Sequence, residues 1–227
     1  SLIFDWKKIP ELQFLDGDQE GEVEFWIELK DKWPIESSAD KNPVIKNNVY
    51  FSQAKEEFVN KINSKLVILQ KGYFEEEVFG NSGPIPPRAG ESTTYTIMWQ
   101  IKNFYNDVNN VKVKANLPRN VELTGNIFPD TESSKFAFDS QSREIVWQVG
   151  DLKMSQGVAG TPSPNISFQI KFTPTGDQRG QTPEIIGIAE ISGEDQWTKE
   201  TLKSQGPAVT TLLPDDTTIT GEKGIVQ

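Results

Sequence analysis

Apolar and polar residues alternate with period two through the second half of the chain. Over residues 94–102, Tyr95, Ile97, Trp99 and Ile101 share one face, while Thr94, Thr96, Gln100 and Lys102 share the other, because successive side chains of a strand point to opposite sides. The same rule sets Val111, Val113, Ala115 and Leu117 against lysines. It places Ile145, Trp147 and Val149 inward, and sets Ile166, Phe168, Ile170 and Phe172 against Ser167, Gln169 and Lys171. Residues 183–192 and 206–213 are two further β-rich runs. Turn signals separate them at Asn109-Asn110, Leu117-Pro118, Pro129-Asp130, Ser140 to Ser142 and Pro174 to Gly176. About seven half-buried strands with little helical period predict an antiparallel, immunoglobulin-like β-sandwich.

The first part of the chain carries a similar pattern. "LIFDW" aligns with "EIVW", pairing Trp6 with Trp147, and "EVEFWIEL" aligns with "NISFQIKF", pairing Val23, Phe25, Ile27 and Leu29 with the four apolar residues from Ile166 to Phe172. "NPVIKNNVYFS" then lies on "TPEIIGIAEIS", and "KEEFVNKINSKLVIL" takes the place of "EDQWTKETLKSQGPAVTTLL". The expected fold is therefore all-β, with tandem immunoglobulin-like sandwiches of which the first is incomplete on its N-terminal side. Residues 1–73 form the C-terminal half of a repeat, 74–90 a Pro-rich connector, 91–213 a complete repeat and 214–227 a polar tail. A half-repeat leaves Phe4, Trp6, Phe25 and Ile27 in need of cover. Either its front strands belong to a longer chain, or another chain supplies them, with the tail as the candidate donor strand.

The stretches "GPIPPRAGESTTYTIMWQIKN", "VKVKANLP", "FAFDSQSREIVWQVGDL" and "SFQIKFTP" resemble the conserved-repeat domain of unknown function found in tandem in bacterial and archaeal surface proteins, and most of all versions from uncultured candidate-phyla bacteria. The resemblance covers the second copy almost completely and the first from its middle onward. It implies an immunoglobulin-like sandwich on an extracellular, cell-surface protein that serves as stalk, fibre or adhesive module. No catalytic residues carry over from it.

Charge and composition narrow the partners. A net charge of -10 repels nucleic-acid backbones and anionic membranes, and no apolar run reaches the ~18 residues needed to span a bilayer. The expected partners are neighbouring repeats or copies of the same protein, with surface glycans or another cell as a second class. Without histidine or cysteine, the usual nucleophile pairs and zinc ligands are missing. Glu24 and Glu28 alternate with apolar residues and read as a wet strand face, so no enzyme is expected. Calcium is the one cofactor with candidate ligands, Asp16, Asp18 and Glu20 around Gly17; a solvated acidic hairpin is the plainer reading of the same residues. Trp6, Trp99 and Trp147 fit the core phase, whereas Trp26 and Trp33 fall off it. These two, with Ile219, Ile225 and Val226 of the tail, are the interface candidates, and a carbohydrate-binding module is the alternative function. Lys112 and Lys114 alternate outward, which argues against an internal isopeptide bond through them.

Overall fold

A computed structural model describes residues 2–14, 16–18, 20–28, 40–51, 54–158 and 160–227. The chain divides into two compact units, Ser1–Pro34 and Ile35–Gln227.

The first unit, in its described residues, contains a turn and a short 3-10 helix, Pro10–Leu12, and no strand. Asp5 caps the turn by accepting the Lys8 amide at 3.0 Å, and the Phe4 and Phe25 rings meet at 5.8 Å. The strands expected over "LIFDW" and "EVEFWIEL" are not formed in the described residues. Alternation marks a face that could be buried, but a strand also needs a neighbour to take its backbone hydrogen bonds. Trp6, expected in a core, is exposed, as are Phe4, Phe25 and Ile27.

The second unit starts with a hairpin, β1 (Val44–Phe51) and β2 (Ala54–Lys61), in unbroken antiparallel register. The sandwich follows. One sheet has the order β3-β4-β9-β6, from β3 (Leu66–Tyr73), β4 (Thr93–Asn103), β6 (Val121–Phe128) and β9 (Asn165–Phe172). The other has the order β12-β11-β5-β8-β7, from β5 (Val108–Asn116), β7 (Phe136–Asp139), β8 (Glu144–Leu152), β11 (Ala189–Asp195) and β12 (Thr201–Gly206). Two short strands, β10 (Glu184–Ile186) and β13 (Val209–Thr210), pair separately. The inward phase is the one the sequence marks: Tyr95, Ile97, Trp99 and Ile101 are buried, as are Val113, Ile145, Trp147, Phe168 and Phe172. Trp99 packs edge-on against Phe168 at 5.0 Å and stacks on Trp147 at 6.5 Å.

The all-β antiparallel sandwich is as expected, but three boundaries differ. Residues 66–73, assigned to the first repeat, are an edge strand of the complete sandwich: β3 pairs with β4 from Leu66↔Asn103 to Tyr73↔Thr96. Residues 74–90 are not a free connector. Asn81 donates to Tyr73 O, Phe74 O and Thr96 Oγ1, and its own oxygen accepts from Gln169 Nε2 at 3.0 Å. This segment therefore covers part of the outer face of β4 and β9, which explains why Thr96 and Gln169 are buried despite lying opposite the core. The polar tail 214–227 is likewise packed, with Asp216, Ile219 and Val226 buried.

Candidate interaction sites at the two ends of the sandwich

The hairpin springs from one end of the sandwich, where polar side chains gather. Asp195 is fully buried and accepts four amide or side-chain donors: Ser64 N at 2.6 Å, Asn106 Nδ2 at 2.7 Å, Trp197 N at 2.8 Å and Thr198 N at 3.1 Å. Asn106 also donates to Ile62 O, and Ser64 Oγ donates to Asn103 Oδ1 at 2.8 Å. Asp107 binds Lys41 Nζ at 2.9 Å, Lys153 Nζ at 3.3 Å and the Met154 amide. Burial pushes the Asp107 carboxyl up, but the Lys41, Met154 and Lys153 hydrogen bonds outweigh it and leave the group below the usual carboxylate range. Lys61 closes the ring by lying over the Trp197 indole at 4.3 Å while donating to Trp197 O.

Beyond this root the hairpin is open. Cross-strand register puts Ile45, Val49, Phe51, Ala54 and Phe58 on one face, and Lys46, Tyr50, Lys55, Glu57 and Lys61 on the other. Phe51 is 80% exposed and Phe58 53%.

The tail lies at the opposite end. Asp216 Oδ2 accepts the Phe74 and Glu75 amides at 2.8 and 3.0 Å, and Oδ1 accepts Thr218 N and Oγ1. Burial again raises this carboxyl, and the Thr218, Glu75 and Phe74 hydrogen bonds outweigh it, so it too sits below the ordinary range. Thr211 Oγ1 donates to Gly224 O at 2.6 Å. A Cβ on Gly224 would stand 2.7 Å from both Leu212 Cα and Thr211 O, so only glycine lets the tail pass here. The last two residues pair on both sides: Val226 with Gly180 and Gln181, and Gln227 with Pro87 and Ala89. The turn that sends the tail back is built on Leu213, buried and held at φ +44°, a left-handed conformation that costs a non-glycine residue about 1–2 kcal/mol.

The named candidates sort as follows. Ile219 and Val226 plug their own sandwich, while Ile225 is half-buried. Trp26 is 92% exposed. Trp33 lies outside the described residues. Asp16, Asp18 and Glu20 sit on an exposed turn, and no three acidic groups converge on a cation position among the described residues. Lys114 lies on the outer face, 2.6 Å from Glu144. A groove of about 310 Å³ opens between the sheets beside Glu132, Lys135, Val149, Leu152 and Asn165. Trp147 borders it without offering a ring to a ligand, since it is 1% exposed and its Nε1 donates to Glu132 at 2.8 Å. Sequence reasoning weighed Asp195 only as a carboxylate within "SGEDQW" and Asp216 only as a weak cation ligand within "PDDTT", and missed the anchoring role of both. Their shared signal is an aspartate followed by residues whose amides fold back onto its oxygens, the turn chemistry of "DQWT" and "DTT".

No family model matches the sequence, and no curated protein matches it. Among solved structures the chain is similar to the full-length major pilin SpaD of Corynebacterium diphtheriae (13% identity, 64% of this chain and 35% of that one, TM-score 0.38). It is also similar to BcpA, the major pilin subunit of Bacillus cereus (10%, 74% and 47%, TM-score 0.37), and to the C-terminal domain of the Streptococcus pyogenes antigen I/II-family protein AspA (12%, 75% and 56%, TM-score 0.32). The chain spans less than two thirds of the length of each. The functional reading therefore rests on the geometry of the chain itself.

Proposed function

We infer that the chain is a non-catalytic, load-bearing segment of a bacterial cell-surface stalk or fibre, whose partners are neighbouring repeats or copies of the same protein. The observation that carries this reading is that Leu66 and Gln227 lie at opposite ends of the sandwich. The chain enters β3 at Leu66, beside Asn103. Gln227 is tied to Pro87 and Ala89 at the Thr93 end of β4. Tension between these points runs along the strands, so the β3–β4 ladder is loaded in shear. All eight of its register pairs then resist together rather than one after another. Gln70 staples the same strand: it accepts from Trp99 Nε1 at 2.6 Å and donates to Gly187 O and Pro207 O. Among the described residues no helix is long and apolar enough to cross a membrane. The extracellular location is part of this reading and draws on the family resemblance of the sequence.

Single-molecule stretching tests it. Pulled between residues 64 and 227, the sandwich is expected to yield in one cooperative event that releases roughly 500 Å of chain, at about 3.4 Å per residue. The event should need a markedly higher force than pulling across the sheet from residue 140. Equal forces in the two geometries would overturn the load-bearing reading.

Trp26, at 92% exposure, is the observation that favours a second reading, a glycan-binding module. Titration with surface polysaccharides should then quench indole fluorescence, and Trp26→Ala should abolish the quench.

A further inference from the structure

We propose that residues 214–227 are an exchangeable strap, and that the slot holding them also receives the same segment of a second copy of this chain. This deepens the fibre reading by naming how copies join.

The slot is built for an added extended segment. Val226 N donates to Gln181 O at 3.0 Å, and its oxygen accepts from Gly180 N at 2.8 Å. Gln227 N donates to Pro87 O and its oxygen accepts from Ala89 N, each at 2.8 Å. Two flanking segments thus use every backbone polar group of the last two residues, and the Val226 side chain is 1% exposed. Backbone pairing on both sides with one apolar plug is how strand addition holds a peptide.

None of these bonds requires the strap and the slot to belong to one chain. Only the reversal at Leu213 depends on that connection, and it forces a buried leucine to φ +44°. The turn is tight, since Leu213 N bonds to Thr210 O and Asp216 N to Leu213 O. Pro214 and Asp215 next to it are exposed, and the one side-chain tie there is the Asp215–Lys71 ion pair at 3.3 Å, with Lys71 itself on the solvent side of β3. Short strained hinges of this kind favour exchange between protomers. In a swapped pair each strap remakes the bonds it made at home, and the left-handed turn is no longer needed. Association entropy opposes the exchange, so concentration decides which form dominates. Reciprocal exchange gives a closed dimer, whereas one-way exchange gives an open chain of copies.

The hydrogen bonds to Pro87 and Ala89 set Gln227 beside Arg88, and both residues are exposed. The chain has no cysteine, so an introduced pair is the only disulfide available. Arg88→Cys and Gln227→Cys variants of residues 1–227 are mixed at high concentration, oxidised and run without reductant. The expected result is a covalent heterodimer at least tenfold above that from Ser140→Cys mixed with Gln227→Cys. In parallel, light scattering follows the unmodified chain and a variant with three glycines inserted after Pro214, which relaxes the turn. The dimer fraction should fall about fivefold in the insertion variant. A heterodimer yield equal to the control, or a monomer at all concentrations, overturns the exchange while leaving the stretching result untouched. A swapped dimer that unfolds equally easily in both pulling directions keeps the exchange and removes the load-bearing role.

Discussion

The hairpin and the strap hang from opposite ends of one sandwich, and each is anchored through buried aspartate. At the hairpin root Asp195 and Asp107 gather amides and lysines; at the strap Asp216 gathers the amides of residues 74, 75 and 218. From there they diverge. The hairpin has two strands in full register yet leaves Phe51 and Phe58 exposed, whereas the strap has almost no periodicity and buries Ile219 and Val226. A strand-like pattern therefore gave the exposed element, and a polar-looking tail gave the buried one. What separates them is whether a surface was waiting. Among the described residues the hairpin pairs with no third strand or sheet, while the strap falls into a slot bounded by backbone groups that need partners.

Removing the hairpin anchor should have the largest effect. Asp195→Ala strands several buried donors at about 1–3 kcal/mol each, so a total loss of roughly 3–5 kcal/mol is expected. For a unit of this size that is a fall of about 10 °C in Tm by calorimetry. A loss below about 1 kcal/mol would mean that water replaces the carboxylate and the root is not an anchor.

Val226→Ala comes next. Trimming a buried aliphatic group costs about 1–3 kcal/mol, and the cost should appear locally. Hydrogen exchange should accelerate over residues 214–227, with the protection of β4 and β9 kept. Acceleration spread evenly over the sandwich would show the strap to be an integral part of the core.

Acid should loosen both ends together. Asp216 and Asp107 have folded-state carboxyls below their ordinary values. Their stabilisation is therefore complete above the unfolded value of about 3.9 and is lost as pH falls through the lower folded values. Proteolysis after residue 213 should rise in that window, and Asp216→Asn should make it insensitive to pH there, at a cost of about 1–2 kcal/mol at neutral pH.

The smallest effect is expected on the hairpin face. Phe51→Ser and Phe58→Ser should each change stability by less than about 0.5 kcal/mol, measured by urea denaturation. A change above 1 kcal/mol would show that this face packs against something, and the contrast with the strap would dissolve.

The alternation along residues 94–102, 111–117, 145–149 and 166–172 was enough to name the strands and their inward faces, because the two-residue period is a property of the local backbone and holds wherever a strand forms. Turn residues fixed most of the breaks between them. The roles of Asn81, Asp195 and Asp216 were not legible in that way. Each binds groups far along the chain, such as Gln169 to Asn81 and Ser64 to Asp195, and distance in sequence carries no periodic mark.

"EVEFWIEL" and "NISFQIKF" show where the line falls. They share an apolar phase, yet Phe168 is buried between β4 and β6 while Phe25 is half exposed. By itself the sequence determined which residues could face a core, and it excluded thiol and histidine chemistry outright. Only the tertiary structure decided which alternating segments found a neighbour and that the polar tail became a strap. A strand's hydrogen bonds are completed by another segment, and nothing within the strand specifies which one.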